Sequence, residues 1–297
     1  MARLVYGWLT GLVASLPLSI GYWLAGLFTE VHFRLFPSRR HAALANLATM
    51  MPGASRRDRL RVVRRMMRSY NSMMFEFFRL PHMEREELLR SVEVSGREHL
   101  EAGLAKGKGV IITCTHIGNW ELAAVVVAHW GHTLHAVAGV QLNRWLSGAV
   151  RETKSELAIH TVSHEDGFRK LLRALEHNEL VALMVDGDLY HHGETVDFFG
   201  RDTRWPAGPG VLARRTGAAL VCGYCERTAN GRWRIVIEPA LDPAAFATTL
   251  DLNARIAEIS SQHIRGHLDQ WCIFRSLWDP SPAAAMEATP ESRRVTA

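Results

Sequence analysis

Apolar and polar positions along the chain follow two regimes. From Leu4 to Thr29 no Asp, Glu, Lys or Arg interrupts a run rich in Leu, Trp and Tyr. As one helix, such a run is long enough to cross the roughly 30 Å hydrocarbon layer of a bilayer. Pro17 and Gly21 lie in its middle, so a kinked or shallowly inserted helix is the alternative. The run exceeds the h-region of a secretory signal, and no small-x-small cleavage site follows it. A buried core helix is the remaining reading. The expectation is a membrane anchor over residues 1–36.

Arg34, Arg39 and Arg40 come next, and then an arginine-rich stretch from Arg56 to Arg68. In that stretch Leu60, Val63 and Met67 share one helical face, which makes a basic amphipathic helix. Beside an anchor it suits anionic lipid heads, and by the positive-inside tendency it keeps the protein body cytoplasmic. The plainer alternative is the solvated face of an ordinary helix. Helical patterns continue from Ser69 to Leu100, with Met73, Met74, Phe77 and Phe78 as a packing stripe.

Beyond Leu100 the pattern changes to short apolar runs separated by amphipathic ones. It predicts strands at Val110–Thr115, His135–Gly139, Leu180–Val185, Ala219–Cys225 and Arg232–Ile237. Helices are predicted at 119–130, Leu146–Leu157, Gly167–Glu176, Gly208–Thr216 and Asn253–Leu268. Strands alternating with helices predict an α/β fold, a central mixed sheet flanked by helices. A catalytic domain over 37–280 and a disordered tail over 281–297 complete the expected organisation.

Composition narrows the classes. The chain has 297 residues, 47% hydrophobic and 22% charged, which excludes wholesale disorder and allows a sizeable core. Its formal charge of +5 suits an anionic partner without choosing one. Four cysteines make no disulfide framework, and Cys222-Gly-Tyr-Cys225 interrupts a strand pattern rather than opening a helix, as a redox motif does.

The candidate chemistry lies in His116-Ile-Gly-Asn-Trp-Glu121. On one continuous helix His116 and Glu121 point far apart. A strand-to-helix corner, with Gly118 turning the chain and Asn119 as N-cap, brings them together at the carboxyl end of a strand. An imidazole there can take the proton of a hydroxyl nucleophile, and a carboxylate on its other nitrogen fixes the tautomer. Taken alone, a capping His beside a solvated Glu explains the same residues.

The wider set of motifs resembles the lipid A biosynthesis acyltransferases, within the HxxxxD/E glycerolipid acyltransferases. The matching segments are Val94-Ser-Gly-Arg-Glu-His-Leu100, Gly107-Lys-Gly-Val-Ile-Ile, His116 to Glu121, Val185-Asp186-Gly187-Asp188, Phe198-Phe199-Gly200, Pro206-Ala-Gly208-Pro209 and Gln270-Trp271. The likeness spans the anchor to about Pro280. It departs at Gly187, where the family often has a polar residue, and before Gln270, where a frequent proline is missing.

The resemblance implies an O-acyltransferase using an acyl thioester, on acyl carrier protein or coenzyme A, and a glycolipid hydroxyl. A lipid A precursor is the favoured acceptor, with a phosphatidylinositol mannoside or other glycolipid as the alternative. His116 would be the base and Glu121 its partner, with Asn119 shaping the loop beside the substrate. Asp186 and Asp188 would orient the acceptor or hold Arg and His side chains. Apart from the resemblance, Arg144 and Arg151, near the next predicted helix, could bind phosphate on donor or acceptor, and a solvated helix face explains them equally well. No metal or cofactor is required, and Tyr190-His191-His192 lacks ligand spacing. The implied location is the cytoplasmic side of the inner membrane. Three rivals remain: a covalent route through Cys114, a membrane-tethered nucleic-acid binder using the arginine-rich helix, although no nucleic-acid-binding motif accompanies that helix, and a thiol oxidoreductase through Cys222 and Cys225.

Overall fold

The computed structural model describes residues 2–137, 154, 157, 159–162, 164–187, 193–228 and 230–278. The N-terminal apolar run is not one helix. Pro17 lacks the N–H needed to continue it and divides the run into α1 (Ala2–Ser15) and α2 (Leu18–Leu35). Among the described residues no helix is long and apolar enough to cross a membrane, so the spanning form of the expected anchor has no support here. Instead α2 packs lengthwise on α4 (Arg56–Arg79). Its buried face, Gly21, Ala25, Thr29 and His32, is built of small or polar residues at helical spacing. A Cβ at Gly21 would lie 1.9 Å from the Phe75 ring, so the two helices approach closely because that position is glycine. Asn71 donates to Thr29 Oγ1 at 2.8 Å and fastens the pair.

The remaining elements are α3 (Pro37–Met50), α5 (Arg85–Ser91), β1 (Val92–Ser95), α6 (Arg97–Leu104), β2 (Val110–Gly118), α7 (Trp120–His129), β3 (Leu134–Val137) and β4 (Ile159–Val162). They continue with α8 (His164–Glu176), β5 (Leu180–Met184), β6 (Glu194–Phe198), β7 (Arg201–Trp205), α9 (Gly208–Thr216), β8 (Ala219–Arg227), β9 (Trp233–Ile237) and α10 (Thr249–Gly266). Seven strands form one sheet in the order β1-β9-β8-β2-β5-β3-β4, and β6 and β7 form a separate hairpin. All sheet neighbours run parallel except β8 and β9, so the sheet is mixed. This is the expected α/β architecture with helices on both faces.

Two buried clusters flank the sheet. One joins Ile111, Val181 and Leu220 to α8, α9 and α10, and the other joins Val110, Leu180 and Val221 to α6 and α7. Helix α4 takes part in both, with Val63 and Met67 in the first and Met73 and Phe77 in the second. The arginine-rich stretch is therefore the first half of a structural helix whose apolar face is core. Sequence patterning did not anticipate β1, β4 or the β6–β7 hairpin. The tail from Ser281, Tyr190–His192 and most of the expected helix at Leu146–Leu157 lie outside the described residues.

Candidate functional site

Strand β2 lies between β8 and β5 at the centre of the sheet, and its end departs from regular pairing. Cys114 is opposite Gly223 and Gly118 is opposite Cys225, so β2 advances four residues while β8 advances two. The irregularity spans Thr115–Ile117 and re-aims His116, as bulges near active sites do. Gly118 then turns at φ +59°, and a Cβ there would lie 2.0 Å from the Cys225 carbonyl oxygen. Only glycine satisfies both conditions. Asn119 follows as N-cap, its Oδ1 accepting from Leu122 N at 3.0 Å.

On the other side of β2, the ladder with β5 continues until Val185 N donates to Cys114 O at 2.9 Å. From there a side chain replaces the backbone. Asp186 Oδ2 accepts from His116 N at 2.7 Å, and Asp186 Oδ1 is 2.7 Å from His116 Nδ1. Trp271 Nε1 donates to the same Oδ2 at 2.9 Å, while Cys272 N donates to His116 O at 2.7 Å. The Asp186 side chain is fully buried, whereas 29% of the His116 side chain is exposed. Burial alone would raise the Asp186 pKa. The His116 ring and the hydrogen bonds donated by His116 and Trp271 outweigh it and hold the carboxyl below its ordinary value.

An ionised carboxylate only accepts, so the ring proton resides on Nδ1 and the Nε2 lone pair is left free. Trp120 packs edge-on against the ring at 4.9 Å between centroids. The arrangement is a partly exposed imidazole whose tautomer is set from behind by a buried anion.

Glu121 does not occupy the place expected for it. Its Oε1 is 2.9 Å from Lys154 Nζ and accepts from Trp120 Nε1 at 3.1 Å, while the His116 Nδ1 contact belongs to Asp186. Helix α7 carries Glu121 beside the imidazole, but Nδ1 faces the opposite strand. The chain thus brings His116, Asp186 and Trp271 together, with Glu121 bracing Trp120.

Asn119 also departs from a substrate-contacting role. It is completely buried, and its Nδ2 donates to Glu76 Oε2 at 2.9 Å. Asp186 likewise has no surface to offer an acceptor, so of its two expected roles it performs the one of holding a histidine. Asp188, Arg144 and Arg151 lie outside the described residues.

Behind Asn119 is a buried polar cluster that sequence reasoning missed. Glu76 pairs with Arg227 and accepts from Tyr22 OH at 2.5 Å. Burial, followed by the Glu76 charge, pushes the Tyr22 phenol up to about 12. The N-terminal helices are thereby tied to the loop that carries the base. Arg275, also missed, lies over Gly187, where a Cβ would be 1.9 Å from Nη2. With φ at +135°, that geometry explains glycine between the two aspartates.

The cysteines fit no redox or nucleophilic role. Cys222 and Cys225 lie in the clusters on opposite faces of the sheet and are both free. Burial pushes Cys222 up to about 11 and Cys225 higher. Burial likewise raises the Cys114 thiol, with Asp186 and Glu121 adding to it, so a thiolate is scarce. Cys114→Ala is expected to retain turnover within about threefold, the range of a small packing change. Steady-state rates on purified protein check this, and a loss as large as that of a His116 variant would restore the covalent route.

A separate cavity of about 460 Å³ lies between β3, β4 and α8, with His135, His160 and Arg173 in its lining. No residue of the His116 cluster contributes to it.

Comparison with known proteins adds four findings. The family model for bacterial lipid A biosynthesis acyltransferases matches residues 3–279. A phosphatidylinositol mannoside acyltransferase of Mycobacterium tuberculosis (strain CDC 1551 / Oshkosh) is 31% identical over 231 residues, covering 76% of this chain and 72% of the relative. A lipid A biosynthesis acyltransferase of Haemophilus influenzae is 20% identical over 206 residues, 69% of this chain and 65% of its own length. Among solved structures, the 1-acyl-sn-glycerophosphate (LPA) acyltransferase PlsC from Thermotoga maritima gives a looser likeness. Its TM-score is 0.39 and its identity 12%, over 84% of this chain and 97% of that one.

Proposed function

Because the chain belongs to the bacterial lipid A biosynthesis acyltransferase family, and is an acyltransferase of lipid A or glycolipid type, we propose a direct transfer mechanism centred on His116. The fatty acyl chain moves from a thioester of acyl carrier protein or coenzyme A to a hydroxyl of a membrane glycolipid. Nε2 of His116 takes the hydroxyl proton as the oxygen attacks the thioester carbonyl. The tetrahedral intermediate collapses, expels the thiolate, and the imidazolium returns the proton to that sulfur. Asp186 stays ionised throughout and stabilises the imidazolium. The single observation carrying this reading is the His116 Nδ1 to Asp186 Oδ1 contact at 2.7 Å.

For the oxyanion, Asn119 N is already bonded to the Cys225 carbonyl at 3.0 Å. The N–H groups of Trp120 and Glu121, in the first turn of α7, are the donors that helix geometry leaves over. Glu121 acts through Trp120 and the position of the ring rather than through Nδ1.

The acceptor favoured is of phosphatidylinositol mannoside type, supported by the 31% identity to the mycobacterial relative against 20% to the Haemophilus one. A lipid A precursor is the second reading, supported by the family match. The test is to incubate the purified protein with acyl-coenzyme A or acyl carrier protein and each acceptor, then weigh the lipids by mass spectrometry. A mannoside one acyl chain heavier is the expected product. Acylation of the lipid A precursor alone would reverse the preference, and acylation of neither would remove the function.

The membrane is reached by shallow insertion rather than by spanning. On α2 the residues facing away from α4 include Ile20, Trp23, Leu24, Leu27, Phe28 and Val31, and Trp23 is 65% exposed. Such a stripe, followed by the exposed Arg34, suits the acyl–headgroup boundary of an anionic leaflet. Acyl thioester donors are too polar to cross the bilayer, which favours the cytoplasmic face. Each large apolar side chain buried adds about 1.5–3 kcal/mol. Trp23→Glu/Leu27→Glu is therefore expected to weaken binding to anionic vesicles by at least about 100-fold without lowering the melting temperature. Unchanged cosedimentation would exclude this surface.

A further inference from the structure

His263 lies in the last turn of helix α10, and His267 is the residue that caps the helix. Opposite them strand β8 presents Tyr224 and Glu226, two residues apart and therefore on one face. The Tyr224 ring stacks on His263 at 3.9 Å and 9°, and the His263 and His267 rings stack at 4.7 Å. Glu226 Oε2 lies 3.1 Å from His263 Nε2 and 2.8 Å from His267 Nε2.

At those separations hydrogen bonds are expected, yet neither contact has their geometry: Oε2 and His263 Nε2 are both buried without a partner. Glu226 itself is only 7% exposed. His267 Nδ1 is 3.0 Å from the His263 carbonyl oxygen, which can only accept, so Nδ1 carries a proton and Nε2 is the nitrogen that faces the carboxylate. Arg234 Nη1 approaches the other carboxylate oxygen, at 3.5 Å, and leaves Oε2 uncompensated. Two imidazole nitrogens and a buried carboxylate oxygen that converge without hydrogen-bond geometry form a donor set that a cation would complete.

We propose that Glu226, His263 and His267 bind one divalent transition-metal ion of the zinc class. Two imidazole nitrogens and one carboxylate oxygen are a donor set suited to zinc, with a fourth position open to water. The three ligand atoms all lie within 4.8 Å of one another. Tetrahedral bonds of about 2.0–2.1 Å place neighbouring ligand atoms roughly 3.3 Å apart, and the two carboxylate–imidazole contacts, at 3.1 and 2.8 Å, are within a few tenths of an ångström of that spacing. The His267 Nδ1 contact with a backbone carbonyl is the outer hydrogen bond that orients a metal-bound imidazole.

The site lies outside the acyl-transfer chemistry but on its support. Three residues after His267, Gln270 Oε1 accepts from Arg227 N at 2.7 Å and Gln270 Nε2 donates to Arg227 O at 2.8 Å. Trp271, next in sequence, donates to Asp186. An ion clamping α10 to β8 fixes the segment that delivers this donor.

The test uses the full chain, stripped with EDTA and dialysed. Zinc titration is expected to show one tight site by metal analysis and to raise the melting temperature by several degrees. Cobalt(II) should give the visible absorption of a tetrahedral site in the same stoichiometry. Glu226→Gln and His267→Ala are each expected to weaken zinc binding at least about 100-fold, more than the loss of an outer-sphere partner. Stoichiometric zinc that survives in both folded variants would place the ion elsewhere and overturn the assignment. A wild-type protein that shows neither thermal shift nor cobalt spectrum would overturn it without reference to any variant.

Discussion

Asp186→Asn is expected to lower kcat by about 10⁴-fold while the protein stays folded, the scale seen when the carboxylate behind a catalytic imidazole becomes an amide. The reason lies in which atoms can accept. Oδ2 of Asp186 receives both the His116 backbone N–H and the Trp271 indole N–H. In the asparagine variant the amide oxygen keeps those two bonds, so the NH₂ group faces Nδ1. That nitrogen must then accept, the ring proton moves to Nε2, and the lone pair required for attack is lost. Glu121→Gln, by contrast, breaks the Lys154 ion pair but leaves Nδ1 and its partner unchanged. Steady-state kinetics on the two variants, with melting temperatures as a folding control, check the contrast. A Glu121→Gln loss that matches or exceeds the Asp186→Asn loss would return the partner role to Glu121.

His116→Ala is expected to cost about 10²–10⁴-fold in kcat or more, the usual share of a general base. Truncation also leaves the Asp186 carboxylate buried with fewer partners, which destabilises by a few kcal/mol. A drop in activity alone would therefore be ambiguous. His116→Gln resolves it, because the amide retains a donor toward Asp186 while lacking a base. Its melting temperature is expected near wild type and its activity near that of the alanine variant. Activity within tenfold of wild type in either would refute the base assignment.

The central strands of the sheet were legible in the sequence. Val110–Thr115, Leu180–Val185 and Ala219–Cys225 are dense apolar runs because parallel strands covered on both faces need apolar side chains on both. The structure places strands at all three. Helix α9 was legible from Gly208 to Thr216 because proline near its start and glycine after its end mark it. Edge strands were not: β1 and β4 have only four residues each, with polar residues mixed in, and lie at the two margins.

The spanning form of the anchor expectation finds no support, for a local reason. Charge-free length cannot tell a bilayer span from two helices broken at Pro17, one of which buries Gly21 and Ala25 against α4.

The partner of His116 was legible only in part. Asp186 stood out as a residue at a strand end able to hold a histidine. Choosing between it and Glu121 required the irregular end of β2, which turns Nδ1 toward β5. No spacing along the chain encodes that rotation. Trp271 was visible as a motif, but its role as donor to a carboxylate 85 positions away depends on how the chain folds back. The Glu76–Arg227–Tyr22 cluster had no sequence signal, since its members come from three separate elements.

The central claim is that Asp186 holds the proton of His116 on Nδ1 and leaves Nε2 free. Nitrogen-15 NMR of histidine-labelled protein reads this directly, with the His116 signals identified by their loss in His116→Gln. The Nδ1-protonated tautomer is expected in wild type and in Glu121→Gln, changing to the Nε2-protonated form in Asp186→Asn. A tautomer that changes with Glu121 and ignores Asp186 would contradict the mechanism.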